Sequence, residues 1–282
     1  MNLHLPTAEL FVPDGLDTAA ALARTTHLCV AAHQDDIEIM AAAPIIECFQ
    51  QTDRWFTGVV VTDGRGSPRD GLYKNYDDEE MRLVRFKEQK KAAVVGEFAA
   101  QVLLDHPSKS VKDAANRQPV EDIAALLQAA FPRFVYTHNL ADKHDTHVGV
   151  ALKTIAAIRS LPASLRPEKL YGCEVWRDLD WLVDADKVGM DLNQHENLQM
   201  ALLGVFDSQI AGGKRYDLAS MGRRRANATY FASHGVDNTL GLSYAMDLTP
   251  LIQNPSNDPL EFVQEFILRF AQDVTARLKR VG

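Results

Sequence analysis

His27-Leu28-Cys29-Val30-Ala31-Ala32-His33-Gln34-Asp35-Asp36-Ile37-Glu38 decides how the chain is read. Five small or apolar residues, Leu28 to Ala32, run without polar alternation into a histidine and two adjacent aspartates. Such a run reads as a strand buried on both faces of a parallel sheet. From Ile37 to Gln51, apolar residues return at helical spacing, so the polar cluster sits at a strand-to-helix turn. The carboxyl end of a strand is where open α/β sheets bind ligands. Two neighbouring carboxylates crowded there raise the electrostatic energy unless a cation relieves it.

His33 and Asp36, three residues apart across a tight turn, can reach one metal ion. Two ligands are too few, because a catalytic zinc takes three from the protein and keeps an open position. A second cluster, Thr137-His138-Asn139-Leu140-Ala141-Asp142-Lys143-His144-Asp145-Thr146-His147, follows the apolar run Phe134-Val135-Tyr136 and offers the third.

Around these turns, strands are expected at 27–32, 56–62, 101–104, 133–137 and 168–176. Helices are expected at 16–24, 37–51, 77–97, 119–130, 147–159, 194–206 and 258–279. The alternation predicts an α/β fold, a Rossmann-like parallel sheet with helices on both faces, in a single domain over 1–282. Its motif-bearing core spans about 27–160, and 161–282 completes the fold and shapes the pocket. A strand order of 3-2-1-4-5 makes the first and fourth strands neighbours at the switch point, where both polar clusters converge. In the last helix Leu260, Val263, Phe266, Ile267, Phe270, Val274 and Leu278 share one face, as a helix closing the core or a subunit contact would.

The 282 residues include 46% hydrophobic and 24% charged side chains, ordinary for a globular chain. A net charge of −8 argues against nucleic acid or an anionic membrane as partner. The first residues lack the basic start and apolar core of a signal peptide, and no run is long enough to span a membrane. Cys29, Cys48 and Cys173 lie in apolar contexts and read as buried free thiols, consistent with a cytoplasmic protein. Homo-oligomerisation stays open.

Four stretches resemble one family. Ala32-His33-Gln34-Asp35-Asp36 is similar to the AHPDD signature of the PIG-L/LmbE family of zinc-dependent N-deacetylases, and Asp142-Lys143-His144-Asp145-Thr146-His147 to its D-x-H-P-D-H motif. Val61-Thr62-Asp63-Gly64 resembles its TDG turn. Arg85-Phe86-Lys87-Glu88, running into Ala92-Ala93-Val94-Val95-Gly96, resembles its R-x-x-E helix. Gln34 and Asp145 replace the usual prolines, and Thr146 stands where the second motif has aspartate. Asp207-Ser208-Gln209 resembles an S-Q element of bacterial members, with no role suggested by its chemistry.

The resemblance implies a zinc ion, with Fe2+ as the alternative, held by His33, Asp36 and His147. It implies Asp35 as general base and a protonated His144 facing the developing oxyanion. The implied substrate is a small-molecule amino-sugar conjugate carrying N-acetylglucosamine, cleaved to acetate and a free amine. Arg85, Asp105 at the end of the third strand and Arg65 in the turn after the second are the candidate substrate-binding residues. Arg85 also reads as an exposed helix charge paired with Glu88 or Asp78. The Gly64-Arg65-Gly66 turn lacks the lysine and spacing of a phosphate loop. Residues 212–225 read as a basic, glycine-punctuated loop, at the surface or collecting an anionic substrate. Two other functions stand beside the deacetylase: an amidase of the same chemistry acting on a larger acyl group or thiol conjugate, and a non-catalytic nucleotide- or metal-binding protein.

Overall fold

The computed structural model describes residues 1–282. Eight strands form one sheet: β1 (Glu9–Phe11), β2 (His27–Ala31), β3 (Phe56–Thr62), β4 (Ala100–His106), β5 (Phe134–His138), β6 (Lys169–Cys173), β7 (Val188–Asp191) and β8 (Leu242–Asp247). Their order is β1-β4-β3-β2-β5-β6-β8-β7. The five inner strands β4-β3-β2-β5-β6 are parallel. They reproduce the expected 3-2-1-4-5 order, so β2 and β5 are neighbours where the winding reverses.

Every residue of β2, β3 and β4 is buried, as expected of strands covered on both faces. The side-chain period of two divides the core into layers. Leu28, Val30 and Ala32 pack on one face with Ile123, Leu127, Val150 and Ile158, from the helices Gln118–Ala130 and Asp145–Ser160. Cys29 and Ala31 pack on the other with Met40, Ile45, Phe86 and Leu202.

The sheet is not purely parallel. β1 pairs antiparallel with β4, β8 antiparallel with β6, and β7 antiparallel with β8. These three strands were not anticipated: β1 and β7, at the two edges, have three and four residues, too few to establish a pattern, and β8 lies between β6 and β7. The expected helix 37–51 is two, Asp36–Met40 and Ala42–Cys48, hinged at Ala41. Pro44 has no N–H to continue the ladder into Met40, which accounts for the break. The stretch read as a basic loop is largely helical, Tyr216–Tyr230. Its Arg224 is buried and donates to the carbonyls of Glu38 and Ile39 and to Gln199, supplying partners for carbonyls at a helix end. All three cysteines are free and buried, and no helix is long and apolar enough to cross a membrane.

Candidate metal centre and its cleft

The turn after β2 begins with a backbone that only a few residues tolerate. Asp35 adopts φ 88°, ψ −29°, and the helix Asp36–Met40 starts immediately after it. A left-handed conformation at a non-glycine residue costs on the order of 1–3 kcal/mol and persists where surroundings impose it. Here the Asp35 amide donates to Gln89 Oε1 at 3.2 Å, and the His33 amide donates to Asp36 Oδ2 at 2.8 Å. The turn therefore sends the two carboxylates to different partners.

Asp36 faces histidines. Its Oδ2 lies 3.2 Å from His33 Nδ1 and 3.3 Å from His147 Nε2, and those two nitrogens are 3.2 Å apart. Three donors from the ends of β2 and β5 thus form a nearly equilateral triangle. Tetrahedral zinc with bonds of about 2.0–2.1 Å has edges of about 3.3–3.4 Å between ligand atoms, so the triangle fits one ion. His147 Nδ1 is 3.3 Å from an Asp142 oxygen, which fixes the tautomer that turns the Nε2 lone pair towards the triangle. Asp142 also accepts from the Trp176 amide. It thus supplies a carboxylate partner for His147 although Thr146 replaces the motif aspartate.

The histidines also form two overlapping trios, His33, His144 and His147, and Asp36, His138 and His147. His138 was not singled out from the sequence. Its Nε2 accepts from the Ala32 amide at 2.8 Å, and its ring stacks on His147 at 3.9 Å, so it buttresses the turn with its lone pair already used. His144 caps the helix Asp145–Ser160, with Nδ1 accepting from the Thr146 amide at 3.3 Å. Burial, with His147 and His33 nearby, lowers its pKa. The expected imidazolium therefore gives way to a neutral ring whose Nε2–H remains available to donate.

Burial pushes the Asp35 carboxyl up to about 6, opposed by Arg85 and reinforced by Asp36. Burial acts the same way on Asp36, but His147, His138 and His33 outweigh it and hold that carboxyl well below the usual range. His147 is raised to about 9: burial opposes the charge, and Asp36 and Asp142 outweigh it. Adjacent carboxylates are thus driven apart, one poised near neutrality and one ionised among donors.

Arg85 is buried and not a solvated helix charge. It donates to Asp35 Oδ2 at 3.0 Å and to Glu88 Oε2 at 3.3 Å, and also to the Gln34 carbonyl. Glu88 in turn accepts from the Ser208 amide and hydroxyl, both at 2.7 Å. The S-Q element thus has a structural role, anchoring the carboxylate that holds Arg85. Gly64 sits at φ 72°, and a Cβ there would come within 2.5 Å of Gln34 Oε1, so the TDG turn must end in glycine to lie against the site.

These groups open into a cleft of about 370 Å³ holding His33, Asp35, Asp36, Arg85 and His144, and completed by Lys112, Trp176, Lys214 and Tyr216. Two of the expected substrate residues are engaged elsewhere. Asp105 forms a two-point pair with Arg82, both bonds at 2.7 Å. Arg65 is held by Asp63 at 3.1 Å and Glu79 at 2.5 Å. Neither lines the cleft. Lys214 and Tyr216 come from the stretch 212–225, read from the sequence as a surface loop or a collector of anionic substrate, and Trp176 ends the expected strand 168–176 without having been singled out; Lys214 lies 5.1 Å over the Trp176 ring. A larger concavity, about 620 Å³, contains His27 and Phe134 at the opposite ends of β2 and β5 and none of these groups.

Fold and site together define a class: an α/β protein with a His-Asp-His donor set at the switch point and a second carboxylate buried beside it. Residues 28–158 match the family model PIG-L, described as GlcNAc-PI de-N-acetylase. That match covers the motif-bearing part of the chain, a little under half of its length, and supports the resemblance to the PIG-L/LmbE family. No curated protein matches the sequence. Among solved structures, the conserved protein TT1542 from Thermus thermophilus is 18% identical with a TM-score of 0.60, over 82% of this chain and 98% of that one. The N,N'-diacetylchitobiose deacetylase from Pyrococcus horikoshii is 17% identical at 0.58, over 79% and 84%. GalB, the 4-carboxy-2-hydroxymuconate hydratase of Pseudomonas putida KT2440, is 15% identical at 0.58, over 79% and 95%. At such identities the likeness establishes the fold, and a fold hosts more than one chemistry.

Proposed function

We propose that this protein is a metal-dependent amide hydrolase that removes the N-acetyl group from an N-acetylglucosamine-type conjugate. The observation that carries the reading is the triangle of His33, Asp36 and His147 with Asp35 buried at its edge. An ion held there, zinc or ferrous iron, supplies a Lewis acid and a water brought towards neutral pKa. Asp35 takes the proton of the attacking water as its oxygen adds to the acetamide carbonyl, then passes it to the nitrogen as the C–N bond breaks. His144 Nε2–H donates to the carbonyl oxygen as negative charge develops there. Arg85 holds the Asp35 carboxylate in place at 3.0 Å, and Glu88 and Ser208 hold Arg85. The products are acetate and the free amine.

The lining of the cleft favours a sugar over a long acyl chain. Trp176 and Tyr216 are its aromatic members, with ring centroids 6.0 Å apart, and the remaining residues are polar, glycine or proline. An aromatic face suits the C–H side of a pyranose and polar neighbours suit its hydroxyls, whereas a longer acyl group would need a continuous apolar wall. A nucleotide phosphate is disfavoured at the β2 turn, where two carboxylates stand in place of a glycine-rich anion cradle.

The test is release of free amine from N-acetylglucosamine conjugates, with N,N'-diacetylchitobiose as the first probe, before and after chelation and metal return. Expected are amine and acetate in equal amounts, lost with the metal and restored with it. No amine from any N-acetylamino sugar by metal-replete protein, or release indifferent to chelation, would overturn the reading.

A further inference from the structure

Asp207, Ser208 and Gln209 stand together in the short helix Asp207–Ile210, and the body of the molecule engages the first two side chains. Asp207 accepts from the Tyr73 hydroxyl at 2.7 Å. Ser208 grips Glu88 through its amide and its hydroxyl, both at 2.7 Å. Gln209 is only 2% exposed, and its side chain makes one hydrogen bond within the protein, between Nε2 and Ser208 Oγ at 3.2 Å. It also forms part of the cleft wall, with Arg85, Trp176 and Tyr216.

Counting protons fixes which way the Gln209 amide points. A serine hydroxyl carries one proton and can accept as well as donate. Ser208 gives its proton to Glu88, so towards Gln209 its oxygen can only accept, and the amide must turn its NH2 to Ser208. Oε1 is then left at the cleft wall with no donor from the protein. A buried acceptor without a partner costs stability, and native structures retain few of them. The segment holds Gln209 firmly in that position. The Lys214 amide donates to the Gln209 carbonyl at 2.9 Å. A Cβ on Gly212 would come within 2.1 Å of the Ser208 carbonyl oxygen, so the chain turns back tightly and has no room for a side chain there.

We propose that Gln209 is a specificity-determining residue whose Oε1 accepts a hydrogen bond from a ring hydroxyl of the amino sugar. The inference rests on the deacetylase reading given above. Among the side chains lining the cleft Gln209 is the only carboxamide, and the two carboxylates, Asp35 and Asp36, are committed to Arg85 and to the histidines. Asp35 and His144 meet the acetamide itself. Gln209 follows Asp35 through Arg85, Glu88 and Ser208 in hydrogen-bonded series, so the group it reads belongs to the part of the substrate that the reaction leaves unchanged. An acceptor held in this way selects for a donor, because an analogue lacking the hydroxyl leaves the buried oxygen unpaired. The aromatic faces of Trp176 and Tyr216 accept any pyranose; Gln209 distinguishes one hydroxyl pattern from another.

The test compares methyl N-acetyl-β-glucosaminide with its 3-deoxy, 4-deoxy and 6-deoxy analogues, using metal-replete wild type and a Gln209→Met variant whose circular dichroism is that of the folded protein. Wild type should lose about 10- to 100-fold in kcat/KM on one of the three analogues. Gln209→Met should lose selectivity against that analogue and keep whatever selectivity wild type shows among the others. A wild type indifferent to all three deletions would overturn the proposal without recourse to the variant. So would a Gln209→Met variant slowed by one common factor on all four compounds, the result expected if Gln209 only supports Ser208 or accepts from the scissile N–H. If wild type hydrolyses none of the four, the deacetylase reading falls, and calorimetric Kd values for the same compounds decide the inference separately. Loss of one hydroxyl preference in the variant upholds it, and uniform or absent binding overturns it.

Discussion

Asp35 carries two burdens: a left-handed backbone and a buried carboxylate next to another. Sites that retain such costs are commonly those where function requires them. Asp35→Asn should keep the bound metal and lose rate by about 100- to 10,000-fold, because an amide cannot take the proton. Elemental analysis with kcat on one preparation checks this, and near-normal turnover in loaded protein would remove Asp35 as base. His147→Ala should behave oppositely, losing most of the metal while circular dichroism is unchanged. For Asp142, whose oxygen lies 3.3 Å from His147 Nδ1, replacement by Asn should weaken metal affinity by about 10- to 100-fold. Competition against a chelating dye measures it, and affinity equal to wild type would show that the carboxylate does not tune its neighbour.

At the scale of elements, several long-range contacts hold the molecule's outlying parts in place. Asp122, on the helix Gln118–Ala130, accepts from His106 at the end of β4 at 2.8 Å and from the His4 amide and ring at 3.0 and 2.8 Å. Burial pushes its carboxyl up, but the His106 and His4 hydrogen bonds outweigh that and hold it below its ordinary 3.8. A lowered folded pKa means stability present above the ordinary value and lost as pH falls through the lowered one. Asp122→Asn should therefore cost about 1.5–3 kcal/mol at neutral pH. The gap from wild type in urea unfolding should narrow only below about pH 4. A gap independent of pH would show that charge is not what Asp122 contributes. The inner strands and the polar cluster that ends β2 were legible in the sequence because buried parallel strands are unbroken apolar runs and the groups at their carboxyl ends are polar. Arg85 was not, since a helix arginine in a charged stretch reads as solvated; its burial comes from Asp35, Glu88 and Ser208, two of them far away in the chain. Asp105 and Arg65 misled for the converse reason. Their strand-end positions face the right edge, but Arg82, Asp63 and Glu79 engage them first. Arg224 and the helix around it were hidden by Gly222 and three consecutive arginines.

For the molecule as a whole, the donor triangle ties the ends of β2 and β5 together across the switch point. An ion that binds the folded chain alone stabilises it by about 2.7 kcal/mol at a hundredfold excess over Kd. For a chain of this size that corresponds to a rise in Tm of roughly 5 °C or more. Calorimetry with and without chelator should show the fall, and it should vanish in His147→Ala. An equal chelator effect in that variant would place the stabilising ion somewhere else.

The antiparallel strand β1 covers the outer edge of β4 over only three residues, Glu9 to Phe11, and a Lys90–Glu9 ion pair of 2.5 Å helps hold it there. Without it, seven buried residues of β4 would present their backbone groups to any passing strand. Deleting residues 1–15 should therefore harm colloidal stability more than it lowers Tm. Light scattering should rise with time at concentrations where the intact chain stays clear. The short first strand would then be a guard against self-assembly through the sheet, on the edge of the molecule where the chain first meets its own fold.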